Sequence, residues 1–83
     1  MTQKNFTIHT SLESRNTALF VQVASKYKSH IQLRLDHKIV NAKSIMGLVS
    51  LGVLDGQNIT LMADGTDAEQ AIVELYNFFM AVV

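Results

Sequence analysis

The sequence predicts an α+β fold: an open-faced β-sandwich of order βαββαβα, with a mostly antiparallel four-stranded sheet carrying three helices on one face. Three observations point there. Apolar residues alternate with polar ones in four short stretches, the two-residue period of strands with one buried face. Between and after them the period lengthens to that of helices with one apolar side. The chain has 83 residues, 48% of them apolar, enough for one domain with a single modest core.

The first strand is read from Phe6 and Ile8, which alternate with Thr7 and His9. From Thr17 to Tyr27 the period changes: Phe20, Val23 or Ala24, and Tyr27 share one helical face, with Gln22 and Lys26 on another. Ile31, Leu33 and Leu35 alternate with Gln32, Arg34 and Asp36, the clearest strand signal in the chain. Asp36-His37-Lys38 then reads as a tight turn into Ile39-Val40, pairing strands two and three as a hairpin without the Asn-Gly that eases such turns. Ser44 to Leu51 is short and apolar on more than one side. Leu48 and Leu51 share an inward face, which leaves Ile45, Met46 and Val49 to account for. Two readings stand: a wholly buried helix, or a helix offering a small apolar patch to partners. Ile59, Leu61 and Ala63, bracketed by Gly56 and Gly65, form the fourth strand. Ala68, Ala71, Ile72, Leu75, Phe79 and Val82 form the stripe of the last helix. Thr66 with Glu69 reads as a capping box, and Asp67 adds negative charge at the same end.

Composition excludes several function classes. Seven Lys+Arg balance seven Asp+Glu, so nothing electrostatic favours nucleic acid or an anionic membrane. Without cysteine there is no disulfide framework, thiolate metal site or thiol nucleophile. No apolar run approaches the roughly 20 residues of a membrane span, and none reads as a secretory signal. A cytoplasmic location, no membrane and no direct nucleic-acid binding are therefore expected. The chain also lacks proline, where about 5% usage would give several, which disfavours a loop-rich scaffold.

Few residues are arranged for chemistry. His9, His30 and His37 have no metal-ligand spacing, the four glycines make no phosphate loop, and no serine is singled out for a catalytic triad. No metal or cofactor is implied. Glu13 and Arg15 read as a surface charge pair before the first helix, of little energetic weight. Ser44 starts the middle helix. Its ordinary role is an N-cap that satisfies a free backbone N–H. Its alternative role is phosphorylation, which would set about −1.5 to −2 charges beside an apolar patch, readable by an arginine-bearing partner.

Val40-Asn41-Ala42-Lys43-Ser44-Ile45-Met46-Gly47-Leu48, with Ser50-Leu51-Gly52, resembles the regulatory-serine segment of the HPr proteins. Ala18-Leu19-Phe20-Val21-Gln22 and Ala24-Ser25-Lys26-Tyr27 are similar to their first helix. The resemblance spans nearly the whole chain, 1–83 as one domain, and the family has the same βαββαβα order. Phosphocarrier members open the first helix with Gly-aliphatic-His-Ala-Arg-Pro-Ala, whose histidine takes a phosphoryl group from Enzyme I and passes it to sugar permeases. Here Ser11-Leu12-Glu13-Ser14-Arg15-Asn16-Thr17 stands in its place. Arg15 is kept, Asn16 replaces the proline, and Glu13 holds the histidine position. A lost histidine with a retained serine resembles the catabolite-repression branch of the family.

That resemblance implies a regulatory protein, not an enzyme. HPr kinase/phosphorylase would phosphorylate Ser44 with ATP. The phosphoprotein would act as corepressor for catabolite control protein A, a LacI-type transcription factor. Ile45, Met46 and Val49 would form the docking patch, Arg15 a charged contact, and Gly47 a side-chain-free approach for the partner. The alternative is a phosphocarrier of the phosphoenolpyruvate-dependent sugar phosphotransferase system, against which the missing histidine argues, since a carboxylate is a weak nucleophile. A third reading is an unphosphorylated interaction module on the same fold. The apolar Phe78-Phe79-Met80-Ala81-Val82-Val83 departs from the charged tail expected of the family and reads either as a packed helix end or as support for a homodimer.

Overall fold

The computed structural model describes residues 1–81. Its elements run β1 (Thr2–Thr7), α1 (Ser14–Ala24), β2 (His30–Leu35), β3 (Lys38–Asn41), α2 (Ile45–Leu51), β4 (Asn58–Asp64) and α3 (Ala68–Ala81). This is the expected βαββαβα order. The four strands form one sheet in the order β1-β4-β2-β3, and every neighbouring pair is antiparallel. The hairpin between β2 and β3 turns without Asn-Gly because Asp36 itself takes a φ of 56°, a left-handed conformation that aspartate tolerates.

The helix-facing rows are the predicted ones. Ile31, Leu33 and Leu35 on β2 and Ile59, Leu61 and Ala63 on β4 are buried beneath Phe20, Leu48, Leu75 and Phe79. The opposite face is mostly polar, with one departure: Thr60 and Met62 are also buried. β4 lies between β1 and β2, so neighbours cover it from both sides. The Asn5 amide also donates to Thr60 Oγ1 at 2.9 Å and to the Ile59 carbonyl at 3.1 Å.

Four details differ from expectation. β1 ends at Thr7, so Ile8 and His9, predicted inside the first strand, lie just beyond it. α1 begins at Ser14 and ends at Ala24, so Tyr27, predicted inside the helix, lies in the loop to β2. The first-turn residues Ser14, Arg15 and Asn16 carry no apolar periodicity, which hides the start of the helix from a pattern search. At α3 the side-chain bonds are made by Asp67, not by a Thr66–Glu69 capping box. Of the predicted α3 stripe, Ala68, Ala71, Ile72, Leu75 and Phe79 are buried, and Val82, with Val83, lies outside the described residues.

Two carboxylates clasp the α1–β2 loop to α3. Asp67 accepts the Lys28 and Ser29 backbone N–H groups at 2.8 and 3.0 Å and the Ser29 hydroxyl. Glu74 accepts from Lys26 Nζ at 2.6 Å and from the Tyr27 hydroxyl. The Ser29 hydroxyl first, and then the Lys28 N–H, hold the Asp67 carboxyl below its ordinary range. The Lys26 ammonium does the same to Glu74, with help from the Tyr27 hydroxyl. Donation to Glu74 pushes the Tyr27 phenol up to about 12. The signs define a window. Carboxylates depressed in the folded state contribute stability that is present above their unfolded pKa and lost as pH falls through the lowered value. A phenol raised in the folded state contributes stability that is complete below its unfolded value of about 10 and lost as pH climbs toward the raised one. Urea midpoints measured across pH are therefore expected to fall off at both ends, with Asp67→Asn flattening the acid limb and Tyr27→Phe the alkaline limb. Unchanged limbs in both variants would remove the clasp from the account of stability.

Candidate functional site

α2 is seven residues long and is set by side chains at its entrance. Asn41 Oδ1 accepts the Lys43 N–H at 2.8 Å, a turn in which an amide side chain stands in for a backbone carbonyl. The Ser44 N–H reaches the Asn41 carbonyl at 3.0 Å. Ser44 is the N-cap: its backbone is extended, and its Oγ accepts the Gly47 N–H at 3.1 Å. Lys43 Nζ donates to the Tyr27 carbonyl at 2.7 Å, which ties this entrance to the clasped α1–β2 loop. Gly52 closes the helix with a φ of 70°, the left-handed C-cap that glycine occupies without strain.

The middle segment is only half buried, which resolves its two readings. Leu48 and Leu51 pack in the core, while Ile45, Met46 and Val49 are 48%, 79% and 59% exposed. A short helix lying on a sheet has one buried side, and these three residues are on the other. Ser44 borders them and is partly accessible. A Cβ on Gly47 would stand 3.3 Å from both Ser44 Oγ and Val40 Cβ, so the glycine keeps the space around the hydroxyl open.

The predicted residues at the start of α1 lie toward the far end of α2. The Leu12 N–H bonds to the Val53 carbonyl at 3.0 Å, and Ser11 Oγ accepts the Asp55 N–H at 2.9 Å. Thr17 Oγ1 donates to the Leu12 carbonyl at 2.9 Å and Asn16 Nδ2 to the Ser11 carbonyl at 3.2 Å. Asn16 therefore ties down the preceding loop with its side chain. Glu13 is the N-cap of α1, but its side chain makes no capping bond. The expected Glu13–Arg15 pair does not form: among the described residues the ion pair present is Lys26–Glu74. Side chains two apart at a helix start point away from each other. Glu13 and Arg15 are both exposed.

Sequence reasoning missed the supports of this region. Lys43 acts through Tyr27, which is remote in the chain though close in space, and Asn16 and Thr17 act through Ser11 and Leu12 across the helix boundary; an asparagine two residues before Lys43 is a signal from which the Asn41 turn could have been found. His9, His30 and His37 are exposed and lie apart from Ser44 in the chain. Among the described residues, no group of three or more His, Asp or Glu side chains is placed to hold a metal ion, and no helix is long and apolar enough to cross a membrane.

Comparison with known proteins agrees with this geometry. The family model described as the PTS HPr component phosphorylation site matches residues 2–81. The HPr-like protein Crh of Bacillus subtilis is 48% identical over 68 residues, covering 82% of this chain and 80% of that protein. An HPr crystal structure from Thermoanaerobacter tengcongensis superposes with a TM-score of 0.91 at 44% identity, over 98% of this chain and 93% of the other. A Crh crystal structure from Bacillus subtilis, described as a swapped, intertwined dimer, matches with a TM-score of 0.81 at 42% identity, covering 100% of this chain and 98% of that one. With its serine-capped α2, its strand order and this breadth of similarity, the chain belongs to the HPr family and is similar to its Crh members.

Proposed function

We propose that this protein is a phosphoserine-switched regulator of carbon catabolite repression in the cytoplasm. HPr kinase/phosphorylase modifies Ser44, and the phosphoprotein serves as corepressor of catabolite control protein A. The observation that carries this reading is a partly exposed serine capping the entrance of α2, next to three exposed apolar side chains of that helix. In the transfer, Ser44 Oγ forms a bond to the γ-phosphorus of ATP, the bond from that phosphorus to the bridging oxygen breaks, ADP leaves, and the hydroxyl proton passes to a base of the kinase. The product adds about −1.5 to −2 charges next to Ile45, Met46 and Val49. A partner with an apolar socket and an arginine distinguishes the two states. Arg15 offers a charged contact at the same surface. The chain is the substrate of another enzyme and catalyses nothing itself.

The test is mass spectrometry after incubation with HPr kinase/phosphorylase and ATP. One added phosphate per chain is expected, and none on Ser44→Ala. A kinase that labels an ordinary HPr but leaves this chain untouched would favour an unphosphorylated interaction module instead. The phosphocarrier alternative makes the opposite demand: stoichiometric labelling from phosphoenolpyruvate and Enzyme I. With Glu13 in the histidine position, no such labelling is expected. The intertwined Crh dimer supports self-association of this chain as well, and sedimentation velocity at two concentrations would reveal it as a shift from one chain to two.

A further inference from the structure

The sheet face turned away from the helices carries a polar cavity that the serine-capped helix does not use. Asn5 on β1, Thr60 on β4 and Arg34 on β2 are direct cross-strand neighbours in one row, at positions that alternate with the core residues of their strands. The β2–β4 ladder ends at Arg34 and Thr60. There a cavity of about 280 Å³ is lined by Asn5, Arg34, Asp36, Gln57, Asn58 and Thr60. That is just below the roughly 300–1,000 Å³ of pockets for larger ligands, room for a molecule of amino-acid size.

Some of these polar groups are spent on the fold and others are not. The Asn5 amide donates to Asn58 Oδ1 at 2.7 Å, to Thr60 Oγ1 at 2.9 Å and to the Ile59 carbonyl at 3.1 Å, which fixes the cavity floor. Thr60 is 5% exposed. Its oxygen accepts from Asn5, and among the described residues its hydroxyl hydrogen has no acceptor. Arg34 and Asp36 are exposed, opposite in charge and two residues apart, yet neither forms an ion pair among the described residues. A plain anion on Arg34 would be repelled by Asp36, and a plain cation on Asp36 by Arg34. A molecule carrying both charges satisfies both side chains. We propose that this cavity binds a free neutral α-amino acid as its zwitterion. The ligand carboxylate accepts from the Arg34 guanidinium and the Thr60 hydroxyl, and its ammonium donates to the Asp36 carboxylate. The site lies on the face of the sheet opposite α2 and does not depend on modification of Ser44.

The experiment is a backbone-amide NMR titration of the purified full chain at constant ionic strength. The probes are glycine, L-alanine, L-serine and L-glutamine, with acetate and ethylamine each carrying one of the two charges alone. Saturable shifts centred on Asn5, Arg34, Asp36 and Thr60 are expected with at least one of the four amino acids, and weaker or no binding with acetate and ethylamine. Arg34→Gln and Asp36→Asn are each expected to weaken the amino-acid binding by about tenfold or more, the loss of a hydrogen bond to a charged group. Both side chains are exposed, so the variants keep the fold, which their own spectra check. No saturable shift with any of the four amino acids overturns the inference. Acetate or ethylamine binding as tightly as the amino acids also overturns it, and so does unchanged affinity in the two variants.

Discussion

Gly65→Ala is expected to lower the unfolding free energy by about 3 kcal/mol, combining backbone strain with overpacking. Gly65 has a φ of 153°, and a Cβ there would stand 2.5 Å from Ser29 Oγ and 2.8 Å from Ser29 Cα. Ser29 cannot withdraw, because it is 1% exposed and bonded to Asp67 through both its N–H and its hydroxyl. The added methyl therefore pushes apart the loop that Asp67 clasps. Gly52→Ala is the control. Gly52 also has a positive φ, of 70°, but nothing lies within 4 Å of the point where a Cβ would stand, so only the left-handed backbone cost of about 1–2 kcal/mol applies. Urea denaturation of the two variants separates the effects. Equal losses at both positions would mean that the Ser29 contact contributes nothing.

Phe79→Ala is expected to cost about 3–5 kcal/mol, the range for removing a large buried aromatic side chain. Phe79 is 1% exposed and its ring lies 5.3 Å from that of Phe20 and 5.7 Å from that of Phe6, so it joins α3 to both α1 and β1. Against the roughly 5–15 kcal/mol typical of a domain, that loss is a large share of the stability of a chain this small. Met46→Ala removes a side chain of comparable apolar character that is 79% exposed, and its expected effect on stability is within about 0.5 kcal/mol. The pair tests whether α2's outer face serves folding or recognition. Denaturation midpoints that moved equally in the two variants would assign Met46 to the core and remove it from the docking patch.

Much of the sheet was legible because strand periodicity is local. Ile31, Leu33 and Leu35 declare one face within six residues, and the partner row on β4 does the same. The stripe of α3 was equally clear. The start of α1 was not, since Ser14, Arg15 and Asn16 are polar in every direction and the entry is held by bonds from Asn16 to Ser11, from Thr17 to Leu12 and from Leu12 to Val53. The capping box at Thr66 was a reasonable local pattern that lost to a distant demand: the Lys28 and Ser29 N–H groups need an acceptor, and Asp67 is within their reach.

At the candidate site the division is sharper. A serine at position 44, a glutamate at position 13 and the absence of proline are matters of residue identity, settled before the chain folds. Whether Ile45, Met46 and Val49 were core or surface depended on which side of a seven-residue helix met the sheet, and apolar residues on two sides of a short helix satisfy either choice. The missing Glu13–Arg15 pair, the clamp by Asn16 and the Lys43 contact with the α1–β2 loop likewise depended on direction and distance. Periodicity reports which residues avoid water, and only the packed chain decides which of them have been given somewhere to go.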